Sequence, residues 1–391
     1  MNSFKFIGQI KKLEDKKDKK FIETVTFDSG WLIERVKFRM ACGDSTEFVD
    51  LSGGKFKDDS KNTVYTLFKK SGSDKDVEKA QVEWGKRFDV DVLEKVPSYK
   101  KYIVDLSSDK IRRDLKEKIE KEKDGAARAE LEKALDNAIK SKFAYISQYD
   151  FTVKVGELLK AGAFNDGNFV VSGTVEYNYS IKDSDEGKYY RSFVPTNIYR
   201  ASESDELSAT GRIDLYYLKD DVIMETCENG DVPVSGFLQF YERMSQENYY
   251  VPIAVYMKGT DEKTEGYKKV FGIDKDSDVL TLGINVEYFD GSPKEEITME
   301  NLDDESKQLI EWGVKTFEEI KADMGGGSYG DTVSKIYMTG VARGWKAPIA
   351  SDTEVDKLYS KPDGKKKDKK KADTNTKKKF DLFNDDDDDE I

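Results

Sequence analysis

The chain has 391 residues, is 37% hydrophobic and carries a formal net charge of −13, so it is long enough for two or three domains, each with its own core. It contains no histidine, which excludes histidine-based catalytic triads and zinc sites with histidine ligands. Two distant cysteines, an opening MNSFKFIGQI without a leader and the lack of any run of about 18 apolar residues indicate a soluble, cytoplasmic protein without disulfides.

The first hundred residues are predicted to form strands. The segments FIETVTF and WLIERVKFRMA are separated by Asp28-Ser29-Gly30, and EFVDL follows a turn at Gly43-Asp44. Alternating apolar and polar residues joined by such turns are typical of β-hairpins. We therefore expect a first β-domain over residues 1–105.

A helical pattern replaces the strands after residue 106. Apolar residues recur at helical spacing, at Ile111, Leu115, Ile119, Leu131, Leu135 and Ile139. Gly125 is expected to divide the segment into two helices, and Ser107 or Ser108 is a candidate N-cap. Residues 106–148 are thus predicted to be a helical insertion.

Strand patterns return after Tyr149 and dominate residues 149–350. The predicted strands are FTVKVGELL, NFVVSGTVEYNYSI, KYYRSFVPTNIYR, ATGRIDLYYL, VSGFLQFYE, YYVPIAVYM, TLGINVEYF and SKIYMTGVARGW. A helix is expected near residues 300–324, ending at three glycines. The fold class is therefore mostly β (α+β), with a second β-rich domain after the insertion.

A short pattern around glycine repeats within these strands. It occurs in FIGQI, VSGTV, ATGRI, VSGFL and MTGVA, with the glycines at Gly8, Gly173, Gly211, Gly236 and Gly340. Glycine inside a strand permits a bulge or sharp bend, as the closing of a small barrel requires. We interpret the five as barrel corners; chance matches among 29 glycines are the alternative.

A basic stripe is the main candidate for a binding surface. If WLIERVKFRMA is a strand, one face carries Trp31, Ile33, Arg35, Lys37 and Arg39, and the opposite face is core. A base can stack on the tryptophan while phosphates lie along the cations. The nearby GGKFK adds Lys55, Phe56 and Lys57 in a loop loosened by glycine. An ordinary solvated strand face is the alternative.

Two further segments are candidates. In KYYRSFVPTNIYR, Tyr189, Arg191 and Phe193 lie on one side of the predicted strand, so this side is a secondary candidate for contact with nucleic acid. Residues 351–379 are predicted to be a disordered, lysine-rich linker, because their composition cannot support a core. Its lysines could hold phosphate, and a merely solubilising linker is the alternative.

Residues 380–391, FDLFNDDDDDEI, form an acidic tip. Its acidic residues are Asp385, Asp386, Asp387, Asp388, Asp389 and Glu390, and its apolar residues are Phe380, Leu382, Phe383 and Ile391. A polyanion can compete with nucleic acid for a cationic groove. The apolar residues beside it offer a handle to a partner protein.

The β-rich opening, the linker and the acidic tip together resemble the OB-fold single-stranded-DNA-binding proteins of bacteria and especially of their phages. The resemblance implies small OB-like barrels, sequence-tolerant binding of single strands in replication or recombination, and recruitment of replication proteins by residues 380–391. It implies no catalytic residue, no cofactor and no metal. This chain departs from the family in its length and in having Ile391 alone after the acids, where the family has an apolar pair.

Two other functions compete with this interpretation. A structural or assembly protein, such as a virion component, would use tyrosine-rich strands to contact other subunits, including copies of itself. A carboxylate-metal nuclease is disfavoured, because no spaced set of acids is distinct from the acidic background and no phosphate-binding loop is present. The expected partners are single-stranded DNA and replication proteins, without a membrane.

Overall fold

The computed structural model describes residues 2–361, except for 17–19, 71–72, 181–187, 219–221, 228, 243–246, 273–278, 293, 296–298, 300–301, 324–327, 330–332, 343–348 and 351–354. The prediction that residues 351–379 are a disordered linker is wrong for residues 355–358, which form a short helix because Val355 and Leu358 pack against other apolar side chains. The part of the linker after residue 361 and the acidic tip lie outside the described residues. Within them the protein is mostly β with helical insertions, and fourteen strands join in one sheet. The predicted fold class, OB-like barrels in an α+β chain, is confirmed by the strand pairing described below.

The strands are β1 (Ser3–Lys12), β2 (Ile22–Thr26), β3 (Trp31–Cys42), β4 (Ser45–Phe56), β5 (Thr63–Lys69), β6 (Val77–Glu83), β7 (Tyr102–Asp105), β8 (Lys142–Tyr145), β9 (Phe169–Ser180), β10 (Lys188–Arg200), β11 (Ser208–Leu218), β12 (Val232–Glu242), β13 (Glu247–Met257), β14 (Val279–Gly291), β15 (Lys294–Glu295), β16 (Ser328–Tyr329), β17 (Val333–Val341) and β18 (Ile349–Ala350). The helices are α1 (Val90–Lys95), α2 (Asp109–Lys121), α3 (Gly125–Lys140), α4 (Gln148–Lys160), α5 (Thr264–Phe271), α6 (Asp304–Glu311), α7 (Phe317–Asp323) and α8 (Val355–Leu358). Short 3-10 turns lie at Asp59–Lys61, Trp84–Lys86 and Ser98–Lys100.

Strands β1, β3, β4, β10 and β9 pair in a closed circuit, which we call barrel 1. β1 is antiparallel to β3, and β3 is antiparallel to β4. β4 is parallel to β10 where Val49 pairs with Phe193, β10 is antiparallel to β9, and β9 is antiparallel to β1. This five-stranded Greek-key circuit is the OB topology.

Strands β11, β12, β13, β17 and β14 repeat this connectivity, and we call them barrel 2. β11 and β13 are both antiparallel to β12, while β13 is parallel to β17 where Tyr256 pairs with Tyr337. β14 is antiparallel to both β17 and β11, which closes the circuit. Pairing of β1 with β11 joins the two barrels into one sheet. The prediction that residues 1–105 form the first β-domain on their own is corrected, because β9 and β10, from the predicted second domain 149–350, close barrel 1.

A helix directly precedes the fourth strand of each barrel. α4 does so in barrel 1, where Phe151, Val155 and Leu159 are buried against β3 and β4. In barrel 2 this helix is α5, whose Phe271 is fully buried. The prediction that FTVKVGELL forms a strand is wrong, because its apolar residues also fit a period of four and Ser147 caps the helix by accepting from the Asp150 N–H.

The other helices follow the sequence pattern closely. α2 and α3 confirm the predicted pair, with Ser108 accepting from the Ile111 N–H at 3.1 Å and the second helix beginning at Gly125. The insertion is held to β7 by Arg112, which donates to the buried carboxylate of Asp105 at 2.9 and 2.5 Å. The helix predicted near residues 300–324 is instead two helices, α6 and α7, because Gly313 at φ +69° ends the first.

One continuous core passes from barrel 1 into barrel 2. The Phe6 ring lies 4.7 Å from the Phe193 ring and 6.0 Å from the Tyr288 ring, measured between centroids. Phe4 contacts both Phe6 and Phe193. Since Phe4 and Phe6 belong to the strand that joins the barrels, their burial fixes one barrel against the other.

Four of the five glycines singled out in the sequence lie where strands approach closely. A Cβ at Gly8 would be 2.1 Å from the Ala41 carbonyl oxygen, and one at Gly173 would be 2.0 Å from that of Val194. Gly211 and Gly236 face backbone oxygens at 2.5 and 2.8 Å, whereas Gly340 has more space. Glycine at the first four positions thus permits the strand crossings that close and join the barrels.

We predict that Gly8→Ala lowers the free energy of unfolding by about 1–3 kcal/mol, because β1 and β3 must separate to accept the methyl group. Urea unfolding followed by circular dichroism measures the change. Gly85→Ala is the matched control, since a Cβ there meets nothing within 4 Å. Equal stabilities of the two variants would contradict the proposed close approach.

A buried acid lies at the junction of the barrels. Glu47 of β4 is 1% exposed, and its Oε1 accepts a hydrogen bond from Ser45 Oγ at 2.9 Å. Ser45 Oγ in turn accepts from the Asp290 N–H of β14 at 2.9 Å. Burial raises the pKa of Glu47 to about 6, Arg191 of β10 opposes this rise, and Asp290 adds to it.

We predict that, relative to the unmodified protein, Glu47→Gln gains about 2 kcal/mol of stability between pH 4.5 and pH 7.5, because the unmodified protein must ionise a buried carboxyl whose pKa is raised to about 6. The folded state binds the Glu47 proton more tightly than the unfolded state does. The stability that this proton gives the unmodified protein is therefore fully present below pH 4.5 and is lost as the pH rises through about 6. Thermal unfolding from pH 4.5 to 7.5 should show the gap opening with pH. Exposed Glu203→Gln is the control, and a gap independent of pH would contradict the assignment.

Candidate nucleic-acid interface

The second and third strands of barrel 1, β3 and β4, present an outer face to solvent. Val36, Phe38 and Met40 of β3 point into the core, so the intervening side chains point outward. The cross-strand rows on this outer face are Trp31–Phe56, Ile33–Gly54, Arg35–Ser52, Lys37–Asp50 and Arg39–Phe48. The predicted grouping of Trp31 with the three cations on one face is confirmed, and their role in binding stays a prediction.

One end of this face carries an aromatic pair. The rings of Trp31 and Phe56 meet edge to face with centroids 4.8 Å apart. The indole lies over Gly54, where a Cβ would be 2.3 Å from its Cζ2. The Phe56 backbone is fixed by Asn62, which accepts from its N–H at 2.7 Å and donates to its carbonyl at 2.8 Å. A half-buried tryptophan is thus held in a fixed position at this end of the face.

Ion pairs occupy the middle of the face. Arg35 donates to Glu23 of the neighbouring strand β2 at 3.3 Å, and Lys37 Nζ lies 3.5 Å from an Asp50 carboxylate oxygen. The stripe is therefore cationic but partly neutralised. Sequence reasoning missed both acids, because each is brought beside its cation only by cross-strand register.

A second ring stands at the far end of the face. The Arg39 guanidinium lies 4.8 Å from the centroid of Phe48, whose side chain is 49% exposed. Phe48 was not among the predicted site residues, although a phenylalanine on the outward side of the strand EFVDL is a signal for it. Arg39 lies eight positions after Trp31 along β3, which places the two aromatic ends about 26 Å apart.

The predicted GGKFK cluster is divided by the strand. Phe56 is on the outer face and Lys57 is exposed beside it, but Lys55 points to the opposite side of β4. There the Lys55 ammonium pairs with Asp59 at 2.8 Å and lies 5.6 Å from the rings of Trp84 and Tyr149. This corrects the expectation that Lys55 lies with the stripe, since alternation along a strand separates neighbours.

Lys55 instead borders a second cluster of rings and cations. The Arg87 guanidinium lies 3.9 Å from the Trp84 ring and 4.2 Å from the Phe88 ring, and it donates to both carboxylate oxygens of Asp150. Trp84 is 6% exposed and packs on Val64, Val82 and Val96. These contacts tie the β5–β6 hairpin to barrel 1, so we interpret this cluster as structural.

The secondary candidates face the space between the barrels. Phe193 is only 3% exposed and belongs to the core. The prediction that it contacts a base is therefore wrong, and its role is packing. The Arg191 guanidinium lies 5.3 Å from the Tyr288 ring, and the Tyr189 ring packs on those of Tyr179 and Phe240. Tyr189 and Arg191 therefore border the inter-barrel space, and their predicted role in binding stays untested.

The corresponding face of barrel 2 is covered. Its strands β12 and β13 carry Phe237 and Tyr250, which are both buried in one cluster with Leu358 of α8. The Tyr359 ring meets Phe237 edge to face at 5.3 Å. Only barrel 1 thus leaves its second and third strands open within the described chain.

The remaining predicted site residues belong to the acidic tip and lie outside the described residues; they are Phe380, Leu382, Phe383, Asp385 to Asp389, Glu390 and Ile391. None of the helices within the described ranges is long and apolar enough to cross a membrane.

No protein-family model matches the chain, and no curated protein matches it. Among solved structures, the chain is similar to a deletion mutant of the single-stranded DNA binding protein from Thermus aquaticus, with 10% sequence identity and a TM-score of 0.29. The match covers 74% of this chain and 87% of that one.

Proposed function

We propose that this protein binds single-stranded DNA with little sequence preference, through the outer face of barrel 1. The observation that carries the proposal is the arrangement on β3 and β4, where Trp31 and Phe56 at one end and Phe48 at the other flank a row of cations. The second and third strands of an OB barrel are the surface on which this fold holds oligonucleotides.

The chemistry of such a face is stacking and charge. Each base stacked on a ring contributes about 1–3 kcal/mol, and every base has a π-face, so the affinity depends little on sequence. Arg35 and Lys37 form ion pairs with Glu23 and Asp50, so a bound phosphate would share each cation with an acid instead of binding an unpaired cation. We propose a binding role without catalysis, in replication or recombination of a bacterium or phage, and hence in the cytoplasm of the cell or host.

A titration of labelled oligo-dT at two salt concentrations tests this function. We predict that the logarithm of the association constant falls by about 0.7 per phosphate contact for each tenfold rise in salt concentration. Trp31→Ala should weaken binding by about 1–3 kcal/mol through the loss of one stacking platform. Tyr65→Ala is the control, because this tyrosine is 74% exposed on β5, outside the face. Absence of binding at low salt would favour the assembly-protein alternative. Equal affinities of the Trp31→Ala and Tyr65→Ala variants would exclude Trp31 as a stacking residue.

We further propose that the acidic segment 380–391 competes with DNA for this face and recruits replication proteins through Phe380, Leu382, Phe383 and Ile391. A run of carboxylates and a nucleic-acid backbone are both flexible polyanions, and both are attracted to the same cations. The lysine-rich residues 362–379 would give the segment its reach.

Deletion of residues 380–391 should therefore tighten oligo-dT binding several-fold, most clearly at low salt, where the competing attraction is least screened. Replacing residues 385–389 by asparagine while keeping the length should have most of the same effect, because it removes the charge alone. Fluorescence anisotropy measures both. Unchanged or weaker binding by the two variants would rule out the competition.

A further inference from the structure

Barrel 2 carries its own cluster of rings and cations, at the site where β13 and β17 pair in parallel. The Lys335 ammonium lies 4.8 Å from the Tyr256 ring and 5.8 Å from the Tyr337 ring, and that of Lys258 lies 4.8 Å from the Tyr337 ring. The two tyrosine centroids are 6.2 Å apart. Lys335 and Tyr337 alternate with the buried Ile336 and Met338, so they point away from the core.

Two acids hold these cations in place. Asp231 accepts from Lys335 Nζ at 3.1 Å and from the Tyr337 hydroxyl at 3.3 Å. Glu287 accepts from Lys258 Nζ at 2.7 Å. The chemistry matches that of the barrel 1 face, where Arg35 and Lys37 also combine with acids between aromatic platforms.

Tyr256 of this cluster also lines a groove between barrel 2 and barrel 1. Its volume is about 520 Å³. Tyr189, Tyr190 and Arg191 line it from β10, and Pro252, Tyr256 and Ser334 line it from barrel 2. Arg191 spans the groove, because its guanidinium lies 3.4 Å from Ser334 Oγ. Tyrosine rings and a cation therefore border a channel that joins the two barrels.

We propose that the groove and the Tyr256–Tyr337 cluster form a second subsite for the same DNA strand that occupies barrel 1, an inference that rests on the proposed function. Aromatic rings with cations beside them suit a strand of bases and phosphates, and the groove gives that strand a path between barrels. The usual face of barrel 2 is covered by Leu358 and Tyr359. The strand therefore reaches barrel 2 at its third and fifth strands.

Oligonucleotide length separates the two sites. One OB barrel holds about 4–16 nucleotides, so an oligo-dT of about 8 nucleotides fills barrel 1 alone, whereas one of about 40 can reach both barrels. Tyr256→Ala should weaken binding of the long oligonucleotide roughly five-fold or more and leave the short one unchanged. Trp31→Ala should weaken both. Tyr256→Phe keeps the ring and should bind like the unmodified protein.

Matched variants make the outcome decisive. Tyr241→Ala removes a tyrosine of barrel 2 that is 57% exposed on β12, away from the groove, and should bind both oligonucleotides normally. Lys335→Gln should reduce the slope of the logarithm of the association constant against the logarithm of salt concentration by about 0.7 for the long oligonucleotide. This variant replaces Tyr256→Ala as the test if Tyr256→Ala fails to fold. If the long oligonucleotide binds with full dependence on Trp31 but none on Tyr256 or Lys335, the second subsite is excluded. Absence of binding to either length would overturn the proposed function as well.

Discussion

Strand β1 is the element on which the architecture depends. Its residues 3–8 pair with β9, residues 3–7 also pair with β11, and residues 9–12 pair with β3. One strand thus closes barrel 1 and attaches barrel 2 to it, while its two phenylalanines, Phe4 and Phe6, bury their rings where the barrels meet. Gly8 lies at the crossing with β3, where no side chain has room. The two barrels are therefore fixed relative to each other by hydrogen bonds as well as by apolar packing.

Closure of barrel 1 also determines what its outer surface can do. Once Val36, Phe38 and Met40 are committed to the interior, alternation leaves Trp31 and the cations of β3 facing solvent together. The antiparallel register then brings rings and acids of β4 beside them. The result is a surface of fixed platforms with partly compensated charge, which favours a ligand that supplies both bases to stack and phosphates to share the cations.

The sequence predicts local features well and non-local ones poorly. The spacing of apolar residues in the sequence predicts most strands, the helices α2 and α3, and the basic face. Strands follow from a period of two residues and helices from a period of three to four, and both periods depend only on neighbouring residues. The helix α4 was missed because its apolar spacing fits both periods. The burial of Phe193 and the pairing of Lys37 with Asp50 depend on strand register between distant segments, which composition does not encode. The glycine pattern predicted barrel corners in both halves of the chain, but the identical connectivity of the two barrels was not predicted, because it depends on which distant strands pair.

Ultraviolet crosslinking of the protein to oligo-dT, followed by mass spectrometry, tests the account most directly, because it reports which rings contact bases. The account predicts crosslinks at the outer face of β3 and β4, to Trp31, Phe56 and Phe48, which disappear at high salt together with binding. Crosslinks confined to exposed aromatic residues elsewhere, such as Tyr65 on β5 or Tyr99, would show that barrel 1 does not hold DNA on this face.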